Sequence, residues 1–163
     1  MVETAGKNVF EYRAFETHQA PDTRYRVERP LQKPYEAVVE LLLFKKGGGE
    51  SKCTGGLIAP KVVLTAKHCL KGKTLAFVAS PGDNADGTST FGMTSRSFRM
   101  SDTDDYGVII LPYPFEFTPF RLQEFPSNFP SVELTTAGYP GDKKKHTLWE
   151  RSNSKTKFGT MIK

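Results

Sequence analysis

The chain has 163 residues, 37% of them hydrophobic and 25% charged, with a net charge of +5 and two cysteines. That length suits one domain of ordinary size with its own core, and the composition excludes a disordered or fibrous protein. No apolar run approaches the roughly 20 residues of a membrane helix, and the basic residues lack interleaved aromatics, so neither membrane nor nucleic acid is an expected partner.

Residues 1–34 read as an extended, polar, pro-like lead-in, with Pro21, Arg24, Arg26, Arg29 and Pro30 and no clear periodicity. Met1 to Phe15 contains no apolar segment of the signal-peptide kind. From Tyr35 the pattern becomes strand-like. Ala37–Phe44 is an apolar run broken by Glu40, with the length of a buried strand. Further strands are expected at Thr54–Ile58, Val62–Thr65, Leu75–Ala79, part of Phe91–Met100 and Tyr106–Leu111, then at Val132–Ala137, Leu148–Glu150 and Lys157–Ile162. Turn residues separate them: Gly47-Gly48-Gly49, Pro81-Gly82-Asp83-Asn84, Asp86-Gly87 and Pro140-Gly141-Asp142. Ala66–Leu70 reads as a single helical turn. Many short strands without a long helix argue for an all-β sandwich or barrel.

Three features outside the strands are assigned no chemistry. Residues Asp83 to Gly87 lack the ligand spacing and closing glutamate of a calcium loop. His18 and His146 have no partners at metal-ligand spacing. Lys143, Lys144 and Lys145 read as solvated loop lysines.

The most informative stretch is Cys53 to Cys69, C-T-G-G-L-I-A-P-K-V-V-L-T-A-K-H-C. It holds two cysteines 16 positions apart, a Gly-Gly pair, a largely β-branched run and a histidine just before the second cysteine. This resembles the histidine segment of chymotrypsin-like serine proteases. The resemblance implies a Cys53–Cys69 disulfide behind a catalytic imidazole, with His68 as general base and then general acid. Lys67 departs from the pattern, which has a small residue there; adjacent side chains diverge, so it is expected to point to solvent. The segment Asp104-Asp105-Tyr106-Gly107-Val108-Ile109-Ile110-Leu111 resembles the aspartate motif of the same family. Asp105 stands at the matching offset, and its implied role is to accept the Nδ1 proton of His68.

Thr136-Ala137-Gly138-Tyr139-Pro140-Gly141-Asp142-Lys143, followed by Leu148-Trp149-Glu150, resembles the glutamyl endopeptidase branch of that superfamily, as does the lead-in from Asp22 to Tyr35. The trypsin-type activation sequence I-V-G-G is missing, so burial of a new isoleucine N-terminus is not implied. The family's nucleophile sits in a Gly-x-Ser-Gly turn that also forms the oxyanion hole. None of Ser51, Ser80, Ser89, Ser95, Ser97, Ser101, Ser127, Ser131, Ser152 or Ser154 has that context.

The resemblance therefore implies an antiparallel Greek-key β-barrel of the chymotrypsin type over residues 35–125, carrying His and Asp, with the first strands of a second, incomplete barrel over 126–163. The implied function is serine endopeptidase, here an N-terminal portion without its serine and inactive as written. The alternatives are a non-catalytic homologue serving as a binding or regulatory module, and a small structural β-domain. Protein or peptide substrates are implied, with no cofactor and no metal, because triad chemistry needs none. The cysteine pair favours an oxidising, secreted location, which a lost N-terminal leader would reconcile with the polar start.

Overall fold

A computed structural model of the chain describes residues 22–82, 89, 91–124 and 132–156. The strand expected over Lys157–Ile162 and the Asp83–Gly87 turn lie outside them. Among the described residues no helix is long and apolar enough to cross a membrane.

Strand β2 (Val38–Lys45) is central in the larger sheet, paired on one side with β3 (Glu50–Ala59) and on the other with β5 (Lys73–Ala79). Its near-continuous apolar run suits a strand flanked on both sides: Val39, Leu41 and Leu43 are all buried. The β2–β3 turn is made by Gly47, Gly48 and Gly49, all at positive φ, where a β-carbon would be strained. β3 starts earlier than its apolar half suggests, because Glu50, Ser51 and Lys52 pair through backbone with Phe44, Leu43 and Leu42.

β4 (Val62–Thr65) leads into the helical turn α1 (Lys67–Leu70). The expected 91–100 strand is two, β6 (Gly92–Ser95) and β7 (Ser97–Met100), bent at Arg96; β8 (Gly107–Ile110) follows. The seven-stranded order is β6-β5-β2-β3-β4-β8-β7, antiparallel throughout. Its two edge strands are consecutive in the chain, one residue apart, so the sheet curls to bring its two edges towards each other. The Ser95 hydroxyl crosses that seam, donating to the Ile110 carbonyl at 2.5 Å. Leu41, Leu43, Leu57, Val63, Leu70, Val78 and Ile109 fill the interior, each at 0% exposure. The fold is an all-β, curled antiparallel barrel.

A second sheet has the order β1-β10-β9, from β1 (Tyr25–Arg26), β9 (Val132–Gly138) and β10 (Trp149–Thr156). Part of the lead-in is thus a paired strand, with Tyr25 opposite Glu150 and Arg26 opposite Trp149. Arg24 clasps this strand in place: its guanidinium donates to both oxygens of Asp22 and both oxygens of Asp142. Lys143 bonds Asp22 and lies 4.3 Å from the Trp149 ring centroid, so it is not simply a solvated loop lysine. A smaller apolar cluster of Val27, Val38 and Leu148, with Tyr35, Phe120, Ala137 and Tyr139 against it, joins the two sheets.

Candidate active site

The Cys53–Cys69 disulfide is formed, with Cα atoms 6.3 Å apart. It ties α1 to the strand behind it and closes a loop with a sequence separation of 16. In α1 the Cys69 N–H donates to the Ala66 carbonyl and the Lys71 N–H to the Lys67 carbonyl. Leu70 anchors the turn in the core, while His68 remains 57% exposed at its side chain. Lys67 is partly buried rather than fully in solvent.

Asp105 lies in the tight connection between β7 and β8. Ser101 builds that turn: its hydroxyl accepts from the Thr103 and Asp104 amides, and its own N–H donates to the Tyr106 carbonyl. Of the two adjacent aspartates, Asp104 accepts a hydrogen bond from Thr103 Oγ1 within the turn. Asp105 turns towards α1. Its Oδ2 is 2.8 Å from His68 Nδ1, and its Oδ1 accepts the His68 backbone N–H at 3.0 Å. One carboxylate therefore holds both the ring and the main chain of the same histidine.

That contact assigns the hydrogen of a neutral imidazole to Nδ1, leaving Nε2 as the basic nitrogen. It also places a carboxylate where it would stabilise an imidazolium. Both cysteines are in the disulfide, so neither is a thiol nucleophile. Four of the described serines serve local structure: Ser80 and Ser89 bond each other and the Phe91 carbonyl, Ser95 bridges β6 to β8 and Ser101 shapes the aspartate turn. Among the described residues no three His, Cys, Asp or Glu side chains converge as metal ligands would.

A second histidine–carboxylate pair was not legible from spacing. His146 Nδ1 is 2.6 Å from Oε1 of Glu40, which is buried in β2. Nearby, the Tyr139 hydroxyl donates to the Val38 carbonyl at 3.1 Å. Burial, and then the Glu40 charge, push this phenol well above its usual range. The only sequence signal for this site is Glu40 itself, a charge interrupting an apolar strand.

A family model described as Trypsin matches residues 28–156. A glutamyl endopeptidase of Bacillus licheniformis is 32% identical over 145 residues, covering 80% of this chain and 44% of that protein. An extracellular metalloprotease of Bacillus subtilis is 27% identical over 144 residues, covering 78% and 46%. The chain thus spans less than half the length of these curated relatives. Among solved structures, an HL collagenase superposes with a TM-score of 0.66 at 18% identity, covering 80% of this chain and 61% of that one; at that identity the likeness speaks for the fold.

Proposed function

The chain belongs to the trypsin family of serine proteases, and from that premise we propose that it contributes the general base and its orienting carboxylate to a serine endopeptidase. The observation that carries this reading is the double contact of Asp105 with the His68 ring and backbone. In the proposed reaction Nε2 of His68 removes the proton from a serine hydroxyl as that oxygen attacks a peptide carbonyl. Asp105 keeps the other proton on Nδ1 and stabilises the imidazolium. His68 then gives its proton to the departing amine, and a water repeats the sequence on the acyl-enzyme. No Gly-x-Ser-Gly occurs in the 163 residues, so the serine and the oxyanion hole are proposed to come from sequence outside them, and residues 1–163 alone to be inactive.

The proposed substrates are proteins or peptides, and the proposed location is extracellular. The disulfide and the extracellular relative support that location.

The test is to label the native gene product with an active-site phosphonate, beside residues 1–163 and two variants. Labelling of a serine outside residues 1–163 is expected in the native protein. Turnover should fall by on the order of 10⁶ in His68→Ala and about 10⁴ in Asp105→Asn. A native product that resists the probe would turn the reading to a non-catalytic homologue. Labelling of residues 1–163 alone would overturn the external serine.

A further inference from the structure

The interface between the two sheets is crossed by a polar seam, and one residue in it leads to the histidine turn. Thr54 is buried in β3, directly opposite Glu40 of β2. Its hydroxyl accepts the Tyr139 backbone N–H at 2.9 Å, the point where β9 has just ended. Its carbonyl accepts the Thr65 hydroxyl at 3.0 Å, and Thr65 is the last residue of β4, three before His68. Its chain neighbour Cys53 is bonded to Cys69, the neighbour of His68. Two separate routes, one through a hydrogen bond and one through the disulfide, therefore run from Thr54 to the imidazole-bearing turn. The same 139–147 segment is held again where His146 meets the buried Glu40.

We propose that Thr54 is a positioning residue: its hydroxyl fixes the 139–147 segment of the second sheet relative to His68, and thereby sets the spacing between the His–Asp couple and whatever the second sheet presents to it. The reasoning rests on the functional reading of His68 given above, but the seam itself does not. A buried hydroxyl accepting a part-buried amide is a directional contact, and removing the acceptor leaves that N–H without its protein partner. Valine keeps the shape of threonine but replaces the whole hydroxyl, acceptor and donor, with a methyl; serine keeps the hydroxyl and removes only a methyl.

The experiment compares Thr54→Val, Thr54→Ser and Glu40→Gln in the 163-residue chain, by amide hydrogen exchange and by the ring signals of His68 across a pH titration. Thr54→Val should speed Tyr139 amide exchange by about tenfold or more, and should move the His68 ring shifts or titration midpoint. Thr54→Ser should restore both. Glu40→Gln, acting on the same segment through His146, should speed exchange over residues 139–147 with a smaller effect at His68. If Tyr139 exchanges faster while the His68 signals stay put, the seam is only glue and the proposal fails. It fails equally if serine does not rescue. A wild-type His68 titration insensitive to Asp105→Asn would instead undercut the His–Asp couple, and the Thr54 comparison would still decide the seam.

Discussion

Replacing Gly107 by alanine measures how tightly the histidine turn is seated. Gly107 opens β8 two residues after Asp105, paired with Thr65 on one side and Met100 on the other. A β-carbon there would stand 2.8 Å from Leu70 Cδ1, 2.9 Å from the Arg99 carbonyl oxygen and 3.3 Å from Met100 Cγ. The Met100 end is flexible. Leu70 is fully buried on the turn that carries His68, and the Arg99 oxygen is backbone of a paired strand, so α1 or β7 must shift. Forcing a methyl into such packing costs ~1–3 kcal/mol, offset by ~0.4–1 kcal/mol from the stiffer unfolded chain. The net destabilisation should be ~1–2 kcal/mol, which for a chain of this size lowers Tm by roughly 2–8 °C. Urea unfolding followed by Trp149 fluorescence supplies the assay. Because Leu70 is one obstructing group, the penalty should shrink in a Leu70→Ala background by on the order of 1 kcal/mol, although Leu70→Ala alone costs ~2–5 kcal/mol. Full stability of Gly107→Ala, or strict additivity of the two changes, would refute the close-packing argument.

Removing the disulfide as Cys53→Ser with Cys69→Ser should cost ~3 kcal/mol, from the entropy of a loop of this length; a thermal midpoint equal to the parent's would contradict it. The Tyr35 phenol, donating to Glu150, is pushed up to about 12 by desolvation first and by Glu150 second. Its folded value lies above its ordinary value of 10.0, so its contribution is intact below pH 10 and lost as pH climbs from 10 towards 12. Tyr35→Phe should flatten that alkaline limb, with screening at this partly exposed site holding the effect to on the order of 1 kcal/mol or less; identical limbs in parent and variant would rule it out. Arg24→Lys keeps the charge but not the forked donors shared by Asp22 and Asp142. Amide exchange at Val27, whose N–H bonds the Leu148 carbonyl, should rise on the order of tenfold, and an unchanged rate would mean that the clasp does not hold β1.

What could be read from the sequence was whatever short-range pattern encodes. The apolar run at 37–44, the triple glycine and the Cys53–Cys69 segment each declare themselves within a dozen or so residues. The offset from Gly107 singles out Asp105 over Asp104, and it is Asp105 that contacts His68, while Thr103 engages Asp104 inside the turn. The polar half of β3 and most of β10 were missed because Glu50, Lys52, Ser152 and Asn153 pair through backbone, with no alternation to betray them. β1 was read as plain lead-in because two exposed residues carry no periodicity. The seam was invisible for a different reason: Glu40 and His146 are 106 positions apart, and only the tertiary fold brings a lone buried carboxylate to a lone loop histidine.

The position of the candidate couple follows from strand register. β4 and β8 are antiparallel neighbours, so the end of one lies beside the start of the other, with Thr65 opposite Gly107. His68 comes three residues after Thr65 and Asp105 two before Gly107, which sets both at the same rim of the barrel. Strands advance about 3.3 Å per residue, so a slip of even one residue would pull the 2.8 Å Nδ1–Oδ2 contact apart. What forbids the slip is the core. Val63 and Ile109 face each other across the same pair of strands, both at 0% exposure. A one-residue shift of either strand would turn its buried side chain to the outside and bring a half-exposed neighbour in. The hydrophobic alternation that packs the barrel interior is thus the same constraint that holds His68 against Asp105. Substitutions such as Ile109→Ala, made nowhere near the imidazole, should therefore loosen the couple in proportion to the stability they remove.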